Sequence, residues 1–289
     1  MYPTLFHLPE WLPIIGGAEI TSFGAMMLAA FLTGGYVLKC EMVRQGHDAD
    51  RAWDLLFWAV IGGIVGARVY YVLLNYPRLA ADPLGMILSR GGMVWYGGFL
   101  LAGALVLRRI HTTGLPMGRT VDGAAPALAL AYAVGRIGCF LVGDDYGRPT
   151  DSWVGIAFPN GTPPTTATTL AGQFGATIDP AMVEKYGEVL PVHPTQLYET
   201  AIATVIFAVL WALRRHRHRP GWLFALWLAL ASAERFFVEI FRAKDDRFFG
   251  SLTLAQVISV ILVGVGVAWM TKLRLAKGRP RGAGSAAAR

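Results

Sequence analysis

The chain of 289 residues is 54% hydrophobic and only 16% charged, with a mean hydropathy of +0.46, whereas soluble domains carry roughly 25% charged residues. Long apolar stretches exclude a disordered chain, a collagen-like repeat and a small disulfide-stapled fold, and point to an all-α polytopic membrane protein. The net charge of +7 does not imply a nucleic-acid partner, because residues 271–289 hold six Lys or Arg and no acid and the rest is close to neutral.

The N-terminal stretch MYPTLFHLPEWLPIIGG lacks the basic start of a signal peptide and is interrupted by prolines, His7 and Glu10. Residues 1–19 therefore read as a retained extracytoplasmic, interfacial arm. Crossing a hydrocarbon core about 30 Å thick takes roughly 20 apolar residues of helix. Seven stretches approach that length, at about 20–40, 53–75, 94–112, 121–143, 194–213, 221–242 and 252–271. Transmembrane helices one to four thus fill 20–143 and helices five to seven fill 193–271. Basic residues at the junctions after spans one, three and five and in the tail number 3, 3, 4 and 6, against 2, 2 and 3 after spans two, four and six. The positive-inside rule then predicts an extracytoplasmic N-terminus and a cytoplasmic C-terminus, with 272–289 as a basic cytoplasmic tail.

The one long loop, 144–192, is punctuated by PNGTPPTT and carries a helix-like AMVEKYGEVL, which predicts a small extracytoplasmic cap. Cys40 and Cys139 lie in separate apolar segments and match no zinc or redox spacing. No internal repeat supports an inverted-repeat transporter. No mid-span lysine supports a retinal protein. The run GGIVGARVYY and the pair Gly97 and Gly98 suit close helix packing.

Apart from the basic residues at span ends, counted with the junctions, three of the 26 lie deeper within spans: Arg68, Arg136 and Arg235. Each lies seven residues before the expected outer end of an even-numbered span, which gives all three one depth, roughly 10 Å from that end. Buried arginines at such depth face a protein interior or a watery cavity, and three at one level can form an anion site. Glu199, Glu234 and Glu239 lie near the same level, and Arg235 with Glu239 has i, i+4 spacing. Simple mutual neutralisation is therefore the competing reading, and for Arg68 structural pairing or snorkelling comes first. For Arg136 and Arg235 a guanidinium matches phosphate oxygens bidentately, and a lipid phosphate is the abundant anion at that depth.

RGGMVWYGGFL at 90–100 opens span three, where Tyr96 is either an aromatic-belt anchor or a phosphate or proton contact. VHPTQLYE at 192–199 opens span five and puts His193, Gln196 and Glu199 near one face, with His193 capping or hydrogen-bonding locally ahead of any proton-carrying role.

GRIGCFLVGDDYGRPTD at 135–151 resembles the signature of the bacterial prolipoprotein diacylglyceryl transferase family. GARVYYVLLN, RGGMVWYGG, HPTQLYE and RFFVEIFR accompany it in family order, and the resemblance spans about residues 20–270. It implies a seven-helix enzyme of the bacterial inner membrane. Such an enzyme moves the diacylglyceryl group of phosphatidylglycerol onto the lipobox cysteine of a prolipoprotein signal peptide and releases glycerol phosphate, with no cofactor; its partners are that lipid, that peptide and membrane lipids. The alternative is a diverged paralogue that binds phospholipid with lost or altered transfer.

Carried over by motif, Arg136 and Arg235 match the family's central arginines, and Arg68 and Glu239 match family positions in spans two and six. Asp144 stands where Glu is frequent, and Gly147 matches the signature glycine before Arg148. The expected catalytic set is Arg136, Arg235, Tyr96, Glu199 and Glu239. The expected substrate-binding set is Arg136, Arg235, Arg68, Asp144, Gly147, Gly97, Gly98, His193 and Gln196. Three positions depart from the pattern: Tyr96 replaces a histidine, Cys139 an asparagine and Phe23 a tyrosine. A phenol with an unperturbed pKa near 10 is a poor base at neutral pH, so the thiol proton falls to Glu199, Glu239, Asp144 or His193, or the thiol ionises in the arginine field.

Overall fold

The computed structural model describes residues 3–11, 17–81, 83–88, 92–243 and 247–274, and these are mostly helical. The helices are α1 (Ser22–Arg44), α2 (Asp50–Leu74), α3 (Tyr76–Ala81), α4 (Pro83–Leu88), α5 (Trp95–Thr112), α6 (Met117–Val142), α7 (Ala167–Phe174), α8 (Pro180–Tyr186), α9 (Thr195–Leu213), α10 (Trp222–Glu239) and α11 (Leu254–Leu273). Five of them, α1, α2, α6, α9 and α11, are long and apolar enough to cross a membrane, which makes this a polytopic membrane protein. Helices α5 and α10 have 18 residues each. The first ends in Arg108, Arg109 and His111, and the second carries Glu234, Arg235 and Glu239.

The chain is not purely helical. Three two-stranded antiparallel ribbons join β1 (Thr4–His7) to β2 (Glu19–Thr21), β3 (Ile156–Ala157) to β4 (Pro191–Val192), and β5 (Arg247–Phe249) to β6 (Leu252–Thr253). The described part of the N-terminal arm is thus tied back beside the start of α1, because short segments next to helix ends need partners for their backbone groups. Residues 12–16, Arg90, Gly91 and residues 275–289, which hold most of the basic tail, lie outside the described residues.

Helix α1 packs along α6, α2 along α5 and α11 along α10, while α6, α9 and α10 touch one another. The α2–α5 crossing depends on glycine: a Cβ on Gly97 would stand 2.3 Å from the Gly66 carbonyl oxygen. Only hydrogens fit between the two backbones there, the small-residue mode of packing inside membranes. Gly98 is likewise buried against α2.

Helix α6 stops at Gly143, whose left-handed φ of 73° suits a glycine C-cap. The connection from there to α9 has its own small core of Tyr146, Phe158, Leu170, Leu190 and Val192, completed by Ala243 from just beyond α10. Its α8 takes in the first six residues of the helix-like stretch expected there and stops at Gly187, and α7 was not foreseen. Backbone bonds from Gly147 N to His193 O at 2.8 Å and from Arg148 N to Phe241 O at 2.8 Å fasten the start of this segment to the residues just before α9 and just after α10.

Candidate functional site: a ring of alternating charges

Where α6, α9 and α10 meet, six side chains close a ring of alternating sign. Arg136 on α6 pairs with Glu199 on α9. Glu199 Oε1 lies 3.7 Å from Arg235 Nη1, and Arg235 Nη2 lies 2.6 Å from Glu239 Oε2, both of the latter on α10. Glu239 reaches Arg242 Nε at 4.0 Å. Arg242 Nη2 meets Asp145 Oδ1 at 2.7 Å, and Asp145 Oδ2 returns to Arg136 Nη1 at 3.0 Å. Three guanidiniums thus face three carboxylates. Low dielectric raises the cost of any unpaired member, which explains why a charge-poor chain places them side by side.

Local structure delivers each member. The i, i+4 step places Arg235 and Glu239 on one face of α10, and Arg242 follows one turn later, just past the helix end. The turn at Gly143 swings Asp145 back over α6, with its own φ at +56°. The start of α9 holds that turn from below, as Thr195 Oγ1 donates to Asp145 O at 2.8 Å and Gln196 Nε2 to Asp144 O. Tyr132, one turn before Arg136, donates its hydroxyl to Glu199 Oε1 at 3.0 Å. Arg136 Nη1 also lies 3.3 Å from Cys139 Sγ.

Exposure differs sharply around the ring. The side chains of Glu199 and Glu239 are 1% and 3% exposed, Arg136 10%, Arg235 35% and Asp145 45%. Burial alone would raise the Asp145 carboxyl, but the Arg242 and Arg136 guanidiniums hold it down at about 2. Its neighbour Asp144 behaves oppositely: burial and the adjacent Asp145 charge push its carboxyl above the ordinary range.

The other expected residues are distributed around and away from this ring. Arg68 does not join it: its guanidinium donates to the carbonyl oxygens of Gly92 at 3.0 Å and Met86 at 2.5 Å, tying α2 to the segment before α5. The shared depth read for three arginines therefore brings two together, because α2 packs along α5 whereas α10 packs on α6, α9 and α11. Tyr96 is 55% exposed, edge-on to Trp95, and forms none of the ring's hydrogen bonds among the described residues. Gly97 and Gly98 lie in the α2–α5 contact.

His193 precedes α9 and so does not share a helical face with Gln196 and Glu199, a correction that follows from the helix beginning at Thr195. Its ring sits against Phe241 and its Nδ1 lies 3.1 Å from the Tyr198 hydroxyl. Burial lowers its tendency to protonate. Gly147 is where the loop touches the chain just beyond α10: a Cβ there would stand 2.4 Å from Phe241 O and 2.8 Å from His193 Cβ. The residues that sequence reasoning did not single out are Asp145, Arg242 and Tyr132. Their signal was the spacing, Tyr132 four before Arg136 and Arg242 three after Glu239.

The donor atoms of Cys139, Asp144 and Asp145 lie within 4.8 Å of one another. Both Asp145 oxygens already face guanidiniums and Arg136 stands against the sulfur, so this donor set is arranged around the cations the chain itself supplies.

The family model described as prolipoprotein diacylglyceryl transferase matches residues 9–272. The chain belongs to the prolipoprotein diacylglyceryl transferase family. Among its relatives, proteins named phosphatidylglycerol–prolipoprotein diacylglyceryl transferase are similar over nearly the whole length of both chains. The one from Xanthomonas oryzae pv. oryzae is 32% identical over 91% of this chain and 90% of its own. That from Pseudoalteromonas atlantica is 30% identical over 93% and 92%, and that from Chlorobaculum tepidum 28% over 90% of each. The ring residues lie in the segments that carried the sequence resemblance to this transferase family, with Arg136 and Asp145 in the signature and Arg235, Glu239 and Arg242 in RFFVEIFR.

Proposed function

We propose that the protein transfers the diacylglyceryl group of phosphatidylglycerol to the lipobox cysteine thiol of a prolipoprotein signal peptide, the transfer named in its relatives. In this reading all seven long helices cross the bacterial inner membrane, with the N-terminus outside, the C-terminus inside and 144–192 forming an extracytoplasmic cap. The bias of basic residues towards alternate junctions supports that orientation.

The observation that carries the chemistry is the meeting of Arg136 and Arg235 at one carboxylate, Glu199. Paired guanidiniums at the depth of a lipid headgroup suit a phosphodiester. The thiolate sulfur attacks the glyceryl carbon that bears the phosphate oxygen. A C–S bond forms, the C–O bond breaks, and glycerol phosphate leaves with the electron pair while the arginines stabilise its growing charge. A cysteine thiol with pKa near 8.5 ionises more readily in such a field. Asp144 suits the thiol proton better than the ion-paired acids, since its raised carboxyl is the stronger base. Cys139, buried beside Arg136, is a packing residue here, because the reacting thiol belongs to the substrate. Arg68 and Gly147 support the site by holding its walls, and Tyr96 flanks the headgroup region from the start of α5.

The test is to incubate the purified protein with phosphatidylglycerol and a lipobox peptide, wild type beside Arg136→Ala and Arg235→Ala, following peptide mass and glycerol phosphate release. Transfer by the wild type that collapses in both variants is the expected result. Normal transfer by both variants overturns the mechanism. No transfer by folded wild-type protein leaves the diverged, lipid-binding paralogue, the outcome that Phe23, Tyr96 and Cys139 would then explain.

A further inference from the structure

We propose that the Asp145 carboxylate is an internal stand-in for the donor's phosphate, bridging Arg136 and Arg242 and displaced from them when the anionic lipid binds. This rests on the proposed transfer reaction and adds a residue that sets affinity for its donor.

The first ground is charge. The ring contains three guanidiniums and three carboxylates. A phosphodiester added to it would make a fourth anion against three cations, in surroundings that penalise imbalance. A phosphodiester that takes the place of one carboxylate, one negative charge for another, leaves the ring neutral.

The second ground is geometry. Asp145 places one oxygen 2.7 Å from Arg242 Nη2 and the other 3.0 Å from Arg136 Nη1. Two oxygens on one centre spanning two guanidiniums is the arrangement that the non-bridging oxygens of a phosphate make.

The third ground identifies which acid yields. Glu199 and Glu239 are almost completely buried on α9 and α10, and Glu199 is further held by Tyr132. Asp145 stands on a loop with its side chain 45% exposed. Its backbone lies in the left-handed region, uncommon outside glycine though among those that aspartate tolerates. The carboxylate can therefore leave by side-chain rotation without moving a helix, while the bonds from Thr195 and Gln196 to the loop carbonyls stay in place. The low carboxyl pKa of about 2 keeps Asp145 charged, and so competing, at any working pH.

The experiment uses the full chain in phosphatidylcholine nanodiscs, titrated with dihexanoyl phosphatidylglycerol by calorimetry, with dihexanoylglycerol as the uncharged control. Asp145→Asn should bind the anionic lipid several-fold tighter, with unchanged affinity for the control and a lower KM in the transfer assay. Asp145→Glu, which keeps a carboxylate, should stay near wild type. Asp145→Ser carries the same expectation as the Asn variant should that one fail to fold, with thermal melting as the check. Unchanged or weaker binding by the folded Asn or Ser variant overturns the proposal and assigns Asp145 to holding Arg136 in place. Because binding is read without turnover, the two readings fail separately. The expected ranking without any peptide transfer defeats the transferase reading alone, and transfer without the ranking defeats this one alone.

Discussion

Tyr132 and Glu199, 67 residues apart and on different helices, are joined by a hydroxyl-to-carboxylate hydrogen bond of 3.0 Å. The bond holds the carboxylate between Arg136 and Arg235, so one buried acid sets the spacing of two arginines.

Glu199→Gln removes that shared counter-ion. Breaking a buried ion pair by removing one partner costs about 3–5 kcal/mol, because the remaining charge stays buried. The expected outcome is a clearly lower melting temperature in detergent and a loss of transfer of roughly tenfold or more. Melting and turnover that both match wild type would show that the arginines are positioned without it.

Gly147→Ala tests the loop attachment. The new Cβ would meet the Phe241 carbonyl oxygen at 2.4 Å, a backbone atom that cannot rotate away. The loop must lift from the segment that follows α10, loosening the bonds of Gly147 to His193 and of Arg148 to Phe241. Transfer should fall much further than thermal stability does. Limited proteolysis between residues 143 and 150 should accelerate, and an unchanged cleavage pattern would contradict the account.

Acid should act through Asp145. Its folded carboxyl lies near 2, below the ordinary value near 3.9, so its contribution to stability is fully present above about pH 4 and is lost as pH falls towards 2. Its side chain is nearly half exposed, so solvent screening limits that contribution to about 1 kcal/mol or less. Melting temperatures of wild type and Asp145→Asn should converge between about pH 4 and pH 2. A difference that stays constant across that window would mean the bridge is not what titrates.

The membrane-protein class, the approximate helix positions and the unusual ionisable residues are legible along the chain. Each follows from the energetic cost of polar groups in an apolar run, which is a local property. The sequence also made the family recognisable, because Arg136, Gly147, Arg235 and Glu239 sit in short contiguous motifs. Pairing was different. Arg68 and Arg136 look equivalent along the chain, yet one donates to backbone carbonyls near α4 and α5 and the other meets a carboxylate on α9. Which helix lies beside which decides that, and glycines at the α2–α5 contact help to fix it. Asp144 and Asp145 are adjacent acids with opposite fates, since the left-handed turn at Gly143 sends one towards Cys139 and the other between two guanidiniums. No spacing rule reaches that distinction, because the ring closes through contacts between side chains up to about a hundred residues apart, and only the packed helices bring them within bonding distance.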